Sequence, residues 1–279
     1  MKALLALDVF GESEQAIAHA VPWAARLGAT LDLATATEII SRSRDFFSDT
    51  EFATLSLGNE ERVAALERLV GNQLLEIPEP MRGEAHLIRG GAAPALIAFA
   101  DRYDVLILAT HGRRGLSRLF AGSVAEAVVR AVQCPVLVTR TDGQAVSPAG
   151  SLKIALPIDC EEPDPAGIRA ALALLGRDHD YHAVYTMPDI AALGDPYATA
   201  SGHKLGTLSA EAGLEGVPRV VRTHRGNAGD DIAAYAREIG ADLIALPTHS
   251  RTAIGRLAFG SVAERVVRVA PCAVLVTRQ

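Results

Sequence analysis

The chain has 279 residues, of which 49% are hydrophobic and 22% are charged, and its formal net charge at pH 7 is −6. This length can supply one large hydrophobic core or two of roughly 140 residues each, which is close to the commonest domain size. No run of basic residues offsets the negative charge, so the sequence argues against electrostatic attachment to nucleic acid or to an anionic membrane.

The first residues, MKALLALDVF, contain one lysine and a short apolar run that stops at Asp8. The run is too short for the core of a signal peptide or for a membrane span. Three cysteines at unrelated spacings indicate neither a disulfide framework nor a CxxC metal site. We therefore expect a cytoplasmic protein without a metal site, in which Cys134 and Cys272 lie buried in the core.

The first half alternates strand-like apolar runs with segments of helical periodicity. The predicted strands start at Ala3, Ala29, Val105 and Pro135, and the predicted helices cover roughly 13–27, 60–76, 92–102 and 123–132. Continuous apolar strands separated by helices are typical of a parallel sheet that is covered on both faces.

The second half repeats this order. Its predicted strands start at Lys153, Tyr181, Arg219, Asp242 and Ala273. The polar stretch between the halves holds Gly, Pro and Ser without apolar periodicity. The sequence thus predicts two tandem five-stranded parallel-sheet α/β domains, residues 1–141 and 151–279, joined by a linker over 142–150.

Two further features of the halves bear on their assembly and their ligands. The segments after each second strand, 41–61 and 187–206, lack a clear period and are predicted to be long loops. The last runs, PVLVTR from Pro135 and AVLVTR from Ala273, are either ordinary interior strands or equivalent edges that pair with each other. We favour the pairing, which would hide two exposed edges and make the chain an intramolecular pseudo-dimer.

A long repeat carries the strongest functional signal. ATHGRRGLSRLFAGSVAEAVVRAVQCPVLVTR begins at Ala109, and PTHSRTAIGRLAFGSVAERVVRVAPCAVLVTR begins at Pro247. Each copy runs from a strand end through a turn into a helix, and glycines there let backbone N–H groups approach a phosphate at the positive end of the helix dipole. The alternative is a purely structural capping box, which both Ser123-Val-Ala-Glu126 and Ser261-Val-Ala-Glu264 match.

Asp8 and Asp159 close the first strand of their halves. If the first and fourth strands are neighbours in a doubly wound sheet, Asp8 faces the same crevice as Gly112 and can accept a hydrogen bond from a ribose hydroxyl or an adenine amino group. The alternative is that each Asp accepts hydrogen bonds from the backbone of the turn that follows it.

Taken together, these residues resemble the universal stress protein family in its tandem form, and the resemblance covers both halves. The family's ATP-binding signature is G-x-x-G, nine residues, then G-[ST]. The first copy reads Ala109-Thr110-His111-Gly112, nine residues, Gly122-Ser123, with one glycine replaced by Ala. The second reads Pro247-Thr248-His249-Ser250, nine residues, Gly260-Ser261, with two glycines replaced.

The resemblance implies a Rossmann-like fold of the adenine nucleotide alpha hydrolase type and an ATP site in the first domain. It assigns the adenine and ribose to Asp8 and Ala36, the ribose and phosphates to the turn, and the phosphates to the start of the next helix; the turn and helix residues are Ala109, His111, Gly112, Gly122, Ser123 and Val124. A weaker second site would retain Asp159, Gly260, Ser261 and Val262.

The substitutions predict that the two sites differ. Ala109 adds one methyl group, whereas Pro247 removes an N–H and Ser250 adds a side chain where the loop should approach phosphate. We therefore expect nucleotide mainly in the first domain, which would make the protein an ATP-binding regulatory module of the stress response, acting with or without Mg²⁺.

Two other functions remain open at this stage. One is a slow ATPase in which His111 or Arg114 assists, although no Walker lysine, Ser–His–Asp set or paired carboxylate site is evident. The other is a nucleotide-free scaffold for a protein partner, in which Ala109 has already closed the site. Further homodimerisation is compatible with each of these functions.

Overall fold

The structure is a computed structural model that describes residues 1–8, 11–37, 59–110, 122–189, 194–248 and 260–278. The chain divides into two compact units, one formed by residues 1–134 and 139–149 and the other by residues 135–138 and 150–279. Both are α/β units, as predicted, and apart from the linker after residue 140 the consecutive strands are connected through helices.

The first unit contains the strands β1 (Lys2–Ala6), β2 (Thr30–Thr37), β3 (Arg82–Arg89) and β4 (Val105–Thr110) in the order β3-β2-β1-β4. The pairs β2–β3, β1–β2 and β1–β4 are all parallel. Its helices are α1 (Ser13–Arg26), α2 (Asn59–Leu74), α3 (Ala92–Ala100) and α4 (Gly122–Ala131). The central strands are fully buried because their runs of Leu and Ile are covered on both faces.

The second unit contains β6 (Lys153–Pro157), β7 (Asp180–Pro188), β8 (Arg219–His224), β9 (Leu243–Thr248) and β10 (Ala273–Arg278), in the order β10-β9-β6-β7-β8. These strands are also parallel to their neighbours. Its helices are α5 (Pro165–Leu175), α6 (Gly194–Glu211), α7 (Ala228–Ile239) and α8 (Ser261–Val269).

Strand β5 (Val136–Arg140) completes the set. Its residues 136–138, which belong to the second unit, pair antiparallel with 274–276 of β10, with Leu137 opposite Leu275. This confirms the predicted pairing of the two last runs, and it buries an edge of β10 that would otherwise present unpaired backbone groups.

Helix α6 corrects a prediction, because the segment 187–206 was expected to be a loop. Its glycines weaken the periodic signal, but they also permit close packing on β8. A Cβ at Gly206 would overlap the guanidinium of Arg219, and one at Gly202 would touch Val221. Tertiary contact thus stabilises a helix that local propensity disfavours. The corresponding segment 41–58 of the first half lies outside the described residues.

Two smaller expectations also needed correction. Strand β3 was not predicted, because this edge strand is partly exposed along its length and has no continuous apolar run. Cys134 and Cys272 are partly exposed and Cys160 is the buried cysteine, because the two repeat-mate thiols precede their strands and lie at the ends of these core elements.

Candidate functional site

The first unit places three strand ends at one crevice. Strand β1 lies between β2 and β4, with Ala6 paired to Ala34 on one side and to Leu108 on the other. The predicted neighbourhood of the first and fourth strands is therefore confirmed. The strands that follow β1 lie on both sides of it, with β2 and β3 on one side and β4 on the other. This is a topological switch point, where parallel α/β sheets bind ligands beyond the carboxyl ends of their strands.

Counting along the parallel register brings predicted site residues to this edge. Asp8 lies two residues beyond Ala6, and Ala36 lies two beyond Ala34. Ala109 follows Leu108 on the opposite side of β1. Asp8 is exposed, and both alanines are partly exposed. The carboxylate therefore lies at the surface of the crevice between two strand ends with small side chains.

Hydrogen bonds fix the backbone before and after Asp8. The Leu7 N–H donates to the Ala34 carbonyl at 2.8 Å, and the buried Thr35 hydroxyl donates to the Leu7 carbonyl at 2.6 Å. The Gly11 N–H then donates to the Asp8 carbonyl at 3.1 Å, and a Cβ on Gly11 would lie 3.2 Å from the Asp8 carboxylate. The Asp8 carbonyl therefore accepts a hydrogen bond from the turn. The residue beside the Asp8 carboxylate is a glycine, which has no Cβ to crowd it.

The phosphate-side residues are described only in part. Helix α4 begins at Gly122, Ser123 is its second residue, and Val124 is 36% exposed. In a strand–helix–strand unit the helix runs back along the sheet, so the start of α4 belongs to the carboxyl edge of β4. His111 and Gly112, together with Arg114, lie outside the described residues.

The start of α8 tests the capping-box alternative in the second copy. The N-cap of α8 is Gly260, with an extended backbone (φ −64°, ψ 152°), and Ser261 is the first helical residue. Glu264 accepts from Arg268 at 2.8 Å. Ser261 therefore does not occupy the N-cap position that the capping box requires. An α-helix has no internal acceptors for its first N–H groups. The first turn of α8, which includes Val262, therefore has backbone N–H groups of the kind that can donate to an anion.

Asp159 behaves as the structural alternative proposed. Its Oδ1 accepts from the backbone N–H groups of Glu161 at 2.8 Å and Glu162 at 3.1 Å. The second unit thus closes its turn with the Asp side chain.

Pro247 is built into the packing of the second unit. It pairs with Thr277 in the strand ladder, and its Cβ lies 2.9 Å from the position that a Cβ on Gly167 of α5 would take. The corresponding residues of the first unit are Ala16 and Ala109. The first unit thus has alanine at both positions where the second has glycine and proline, and the glycine leaves room for the proline ring. Ser250 lies outside the described residues.

Helix α6 contacts the loop that carries Asp159. The Tyr197 hydroxyl donates to Glu161 Oε1 at 2.9 Å, and this bond raises the pKa of Tyr197. The Cys160 thiol lies 3.8 Å from the Ser201 carbonyl, and burial raises the pKa of Cys160 to about 11. These contacts were not predicted, since they depend on a segment that was expected to be a loop.

Among the residues that the structure describes, no group of His, Cys, Asp and Glu is arranged to hold a metal ion. Over the same residues, no helix combines the length and the apolar character that crossing a bilayer requires.

The fold and the order of its strands define a tandem α/β protein with two parallel-sheet units. A family model described as the universal stress protein family matches residues 1–140 and 151–278. The chain therefore belongs to the universal stress protein family, as the sequence resemblance indicated.

Individual relatives agree with this assignment. A universal stress protein of Methanocaldococcus jannaschii is 31% identical over 91 residues, and the match covers 30% of this chain and 54% of that relative, so the chain spans about half the length of the relative. A crystal structure of a universal stress protein from Archaeoglobus fulgidus has a TM-score of 0.70 at 18% identity and covers 99% of this chain and 98% of its own. A functionally unknown protein from Pseudomonas aeruginosa has a TM-score of 0.64 at 18% identity, covering 100% of this chain and 92% of its own.

Proposed function

We propose that this protein is a nucleotide-binding regulatory module that holds one adenine nucleotide, ATP in the first instance, in the crevice of its first unit. The observation that carries the proposal is the switch point at β1, where the exposed Asp8 lies between two strand ends with small side chains. Asp8 would accept from the ribose or adenine, with Ala36 beside it on β2.

The phosphates would extend from this crevice towards the start of α4. Ala109 at the end of β4 contributes only a methyl group, and Gly122 and Ser123 open the helix whose first N–H groups can donate to phosphate oxygens. His111 and Gly112 enter this proposal through the family signature alone. A negatively charged ligand suits the site because the positive end of the helix dipole favours it.

The second unit supports an asymmetric assignment. The carboxylate of Asp159 already accepts two backbone hydrogen bonds from its own turn, so a ligand would have to compete with them. Pro247 offers no backbone N–H, and its ring is packed against α5 at Gly167. Gly260, Ser261 and Val262 retain a helix start, but the strand-end side of this site is altered. We infer that nucleotide binds mainly in the first unit.

The first test is the nucleotide that the purified full chain releases on denaturation, identified by chromatography and quantified per chain. About one ATP per chain is expected from one working and one altered site. Absence of nucleotide, including after incubation with ATP and removal of the excess, would contradict the proposal and favour a protein scaffold. Steady release of phosphate during incubation would instead indicate an ATPase.

A matched pair of variants tests the asymmetry. Gly122→Glu places a carboxylate at the proposed phosphate site and should abolish ATP binding measured by calorimetry, while the helix start tolerates an acidic residue. Gly260→Glu makes the same change in the second unit, where a Cβ meets no atom of the described residues within 4 Å. It should leave the affinity almost unchanged, and equal losses in the two variants would refute the assignment to the first unit.

A further inference from the structure

Strands β1 and β2 separate at the carboxyl edge of the first sheet. Their last paired residues are Ala6 and Ala34, and beyond them the Leu7 N–H still donates to the Ala34 carbonyl at 2.8 Å. Strand β2 continues to Thr37, which pairs with Arg89 of β3 on its other side. The chain that carries Asp8 therefore leaves the sheet beside a strand that stays in it, and we call this point the fork.

Thr35 lies at the base of the fork. Its side chain is 4% exposed, and its hydroxyl donates to the Leu7 carbonyl at 2.6 Å. If the parallel ladder went on, this carbonyl would accept from the backbone N–H of Ala36. A side-chain hydroxyl thus occupies the acceptor at which β1 and β2 part, and it ties the departing chain to β2.

This bond bears directly on Asp8. The Leu7 carbonyl and the Asp8 N–H belong to one planar peptide group, so the Thr35 hydroxyl fixes the plane of the peptide through which the chain enters Asp8. On the other side of that residue, the Gly11 N–H donates to the Asp8 carbonyl at 3.1 Å. Hydrogen bonds to the peptide groups before and after Asp8 therefore set the direction in which its side chain leaves the backbone.

The bond is buried and belongs to the first unit. Leu7 and Thr35 are both buried, so removing the hydroxyl would leave a carbonyl to which water has poor access. The β-branched threonine also has few rotamers, which keeps the hydroxyl aimed at its acceptor. In the second unit the Ile158 N–H donates to the Val184 carbonyl at 2.9 Å, but the residue after this acceptor is Tyr185, so the short side-chain hydroxyl is absent from that position.

We propose that Thr35 is a positioning residue of the nucleotide site, which holds the peptide between Leu7 and Asp8 so that the Asp8 carboxylate is presented to the ribose or adenine. This inference rests on the proposed function, and it deepens it by assigning a role to a residue outside the family's glycine signature. Thr35 acts through Asp8 and does not have to touch the ligand.

Two substitutions at Thr35 separate its hydroxyl from its shape in the full chain. Thr35→Val keeps the branching and size of the side chain but removes the hydroxyl, whereas Thr35→Ser keeps the hydroxyl. ATP affinity is measured by calorimetry and folding by urea unfolding. We expect Thr35→Val to weaken ATP binding on the order of tenfold and Thr35→Ser to bind within about twofold of the wild type.

Thr30→Val is the matched control. Thr30 lies at the exposed amino end of the same strand, and its hydroxyl also faces a carbonyl of the neighbouring chain, that of Met1, at 3.5 Å. It is remote from Asp8, so ATP affinity should not change. If Thr35→Val does not fold, Thr35→Ala removes the same hydroxyl with a smaller side chain and is compared in its place.

A double-mutant cycle tests whether Thr35 acts through Asp8. In an Asp8→Ala background, Thr35→Val should cost little further affinity, because no carboxylate is left to position. A purely structural hydroxyl would give the same loss with and without the carboxylate, and such additive losses would overturn the proposal. A folded Thr35→Val variant with wild-type affinity, or equal losses for valine and serine, would overturn it too. A wild-type chain that binds no ATP would instead overturn the proposed function, and the positioning role with it.

Discussion

The contact between Gly167 and Pro247 predicts a specific coupling in the second unit. Gly167→Ala places a Cβ 2.9 Å from the Pro247 Cβ and against the carboxylate of Asp164. The helix cannot easily shift away, because the Gly167 N–H donates to Asp164 at 2.8 Å and its carbonyl accepts from Thr277 at 3.0 Å. Overpacking of this kind costs about 1–3 kcal/mol.

The net effect is smaller than the clash, since alanine is favoured over glycine within a helix by roughly 1 kcal/mol. We expect Gly167→Ala to lower the free energy of unfolding by up to about 2 kcal/mol, measured by urea denaturation followed by circular dichroism. Pro247→Ala keeps the Cβ that the new methyl group meets but removes the ring that fixes φ at this position, so the strand can shift away. The double variant should therefore recover part of the loss, with a coupling of about 0.5–1.5 kcal/mol.

The first unit provides the reason for expecting this recovery, because it has alanine at both corresponding positions, Ala16 and Ala109. Strictly additive effects of the two substitutions would refute the idea that glycine at 167 accommodates the proline ring. A Gly167→Ala variant at least as stable as the wild type would refute the clash itself.

Three further predictions concern other parts of the chain. Tyr103→Phe should lower the free energy of unfolding by about 1.5–3 kcal/mol in urea denaturation, because the Tyr103 hydroxyl donates to the buried Asp32 carboxylate at 2.8 Å; no change would mean that another donor replaces it. Cys160 should resist iodoacetamide at about pH 8 until the chain unfolds, since it is buried and its pKa is about 11. Peptide mapping of the native protein after treatment checks this, and alkylated Cys160 would contradict it. Burial lowers the pKa of His19 in the folded chain, and the charge of Asp142 partly opposes this. Because the unfolded chain takes up a proton on His19 more readily, the free energy of unfolding should fall as the pH is lowered from about 7 to 5. His19→Gln should flatten that profile in unfolding titrations.

Much of the architecture could be predicted because it is written in local patterns. Continuous apolar runs located nine of the strands, and their alternation with helical periods predicted parallel α/β units. The repeat of the last run, together with the cost of exposed strand edges, was sufficient to predict that the two last runs pair, and the structure adds the register in which Leu137 lies opposite Leu275. Strand β3 and helix α6 were missed because edge exposure and glycine weaken the local pattern, and contacts with neighbouring strands stabilise them instead.

The candidate site divides in the same way. Asp8 and the helix start at Gly122 could be selected from the sequence because strand ends and glycine-rich helix starts have recognisable signatures, whereas Ala36 and Ala109 were assigned only through the family resemblance. Whether an aspartate at a strand end faces a ligand or closes its own turn depends on which backbone N–H groups lie within 3 Å or so of it. The sequence left both readings open for Asp159, and only the folded turn shows that its carboxylate accepts from the N–H groups of Glu161 and Glu162.

The sequence by itself therefore determined the family, the two-fold repetition of the α/β plan and the edge of each sheet where a ligand would lie. The tertiary structure decided which side chains occupy the space at that edge. Tyr197 of α6 reaches Glu161 in the turn after β6, and Pro247 is accommodated because α5 presents Gly167. Periodicity and strand ends are properties of neighbouring residues, whereas the filling of a crevice depends on residues that are distant in the chain and meet only after folding.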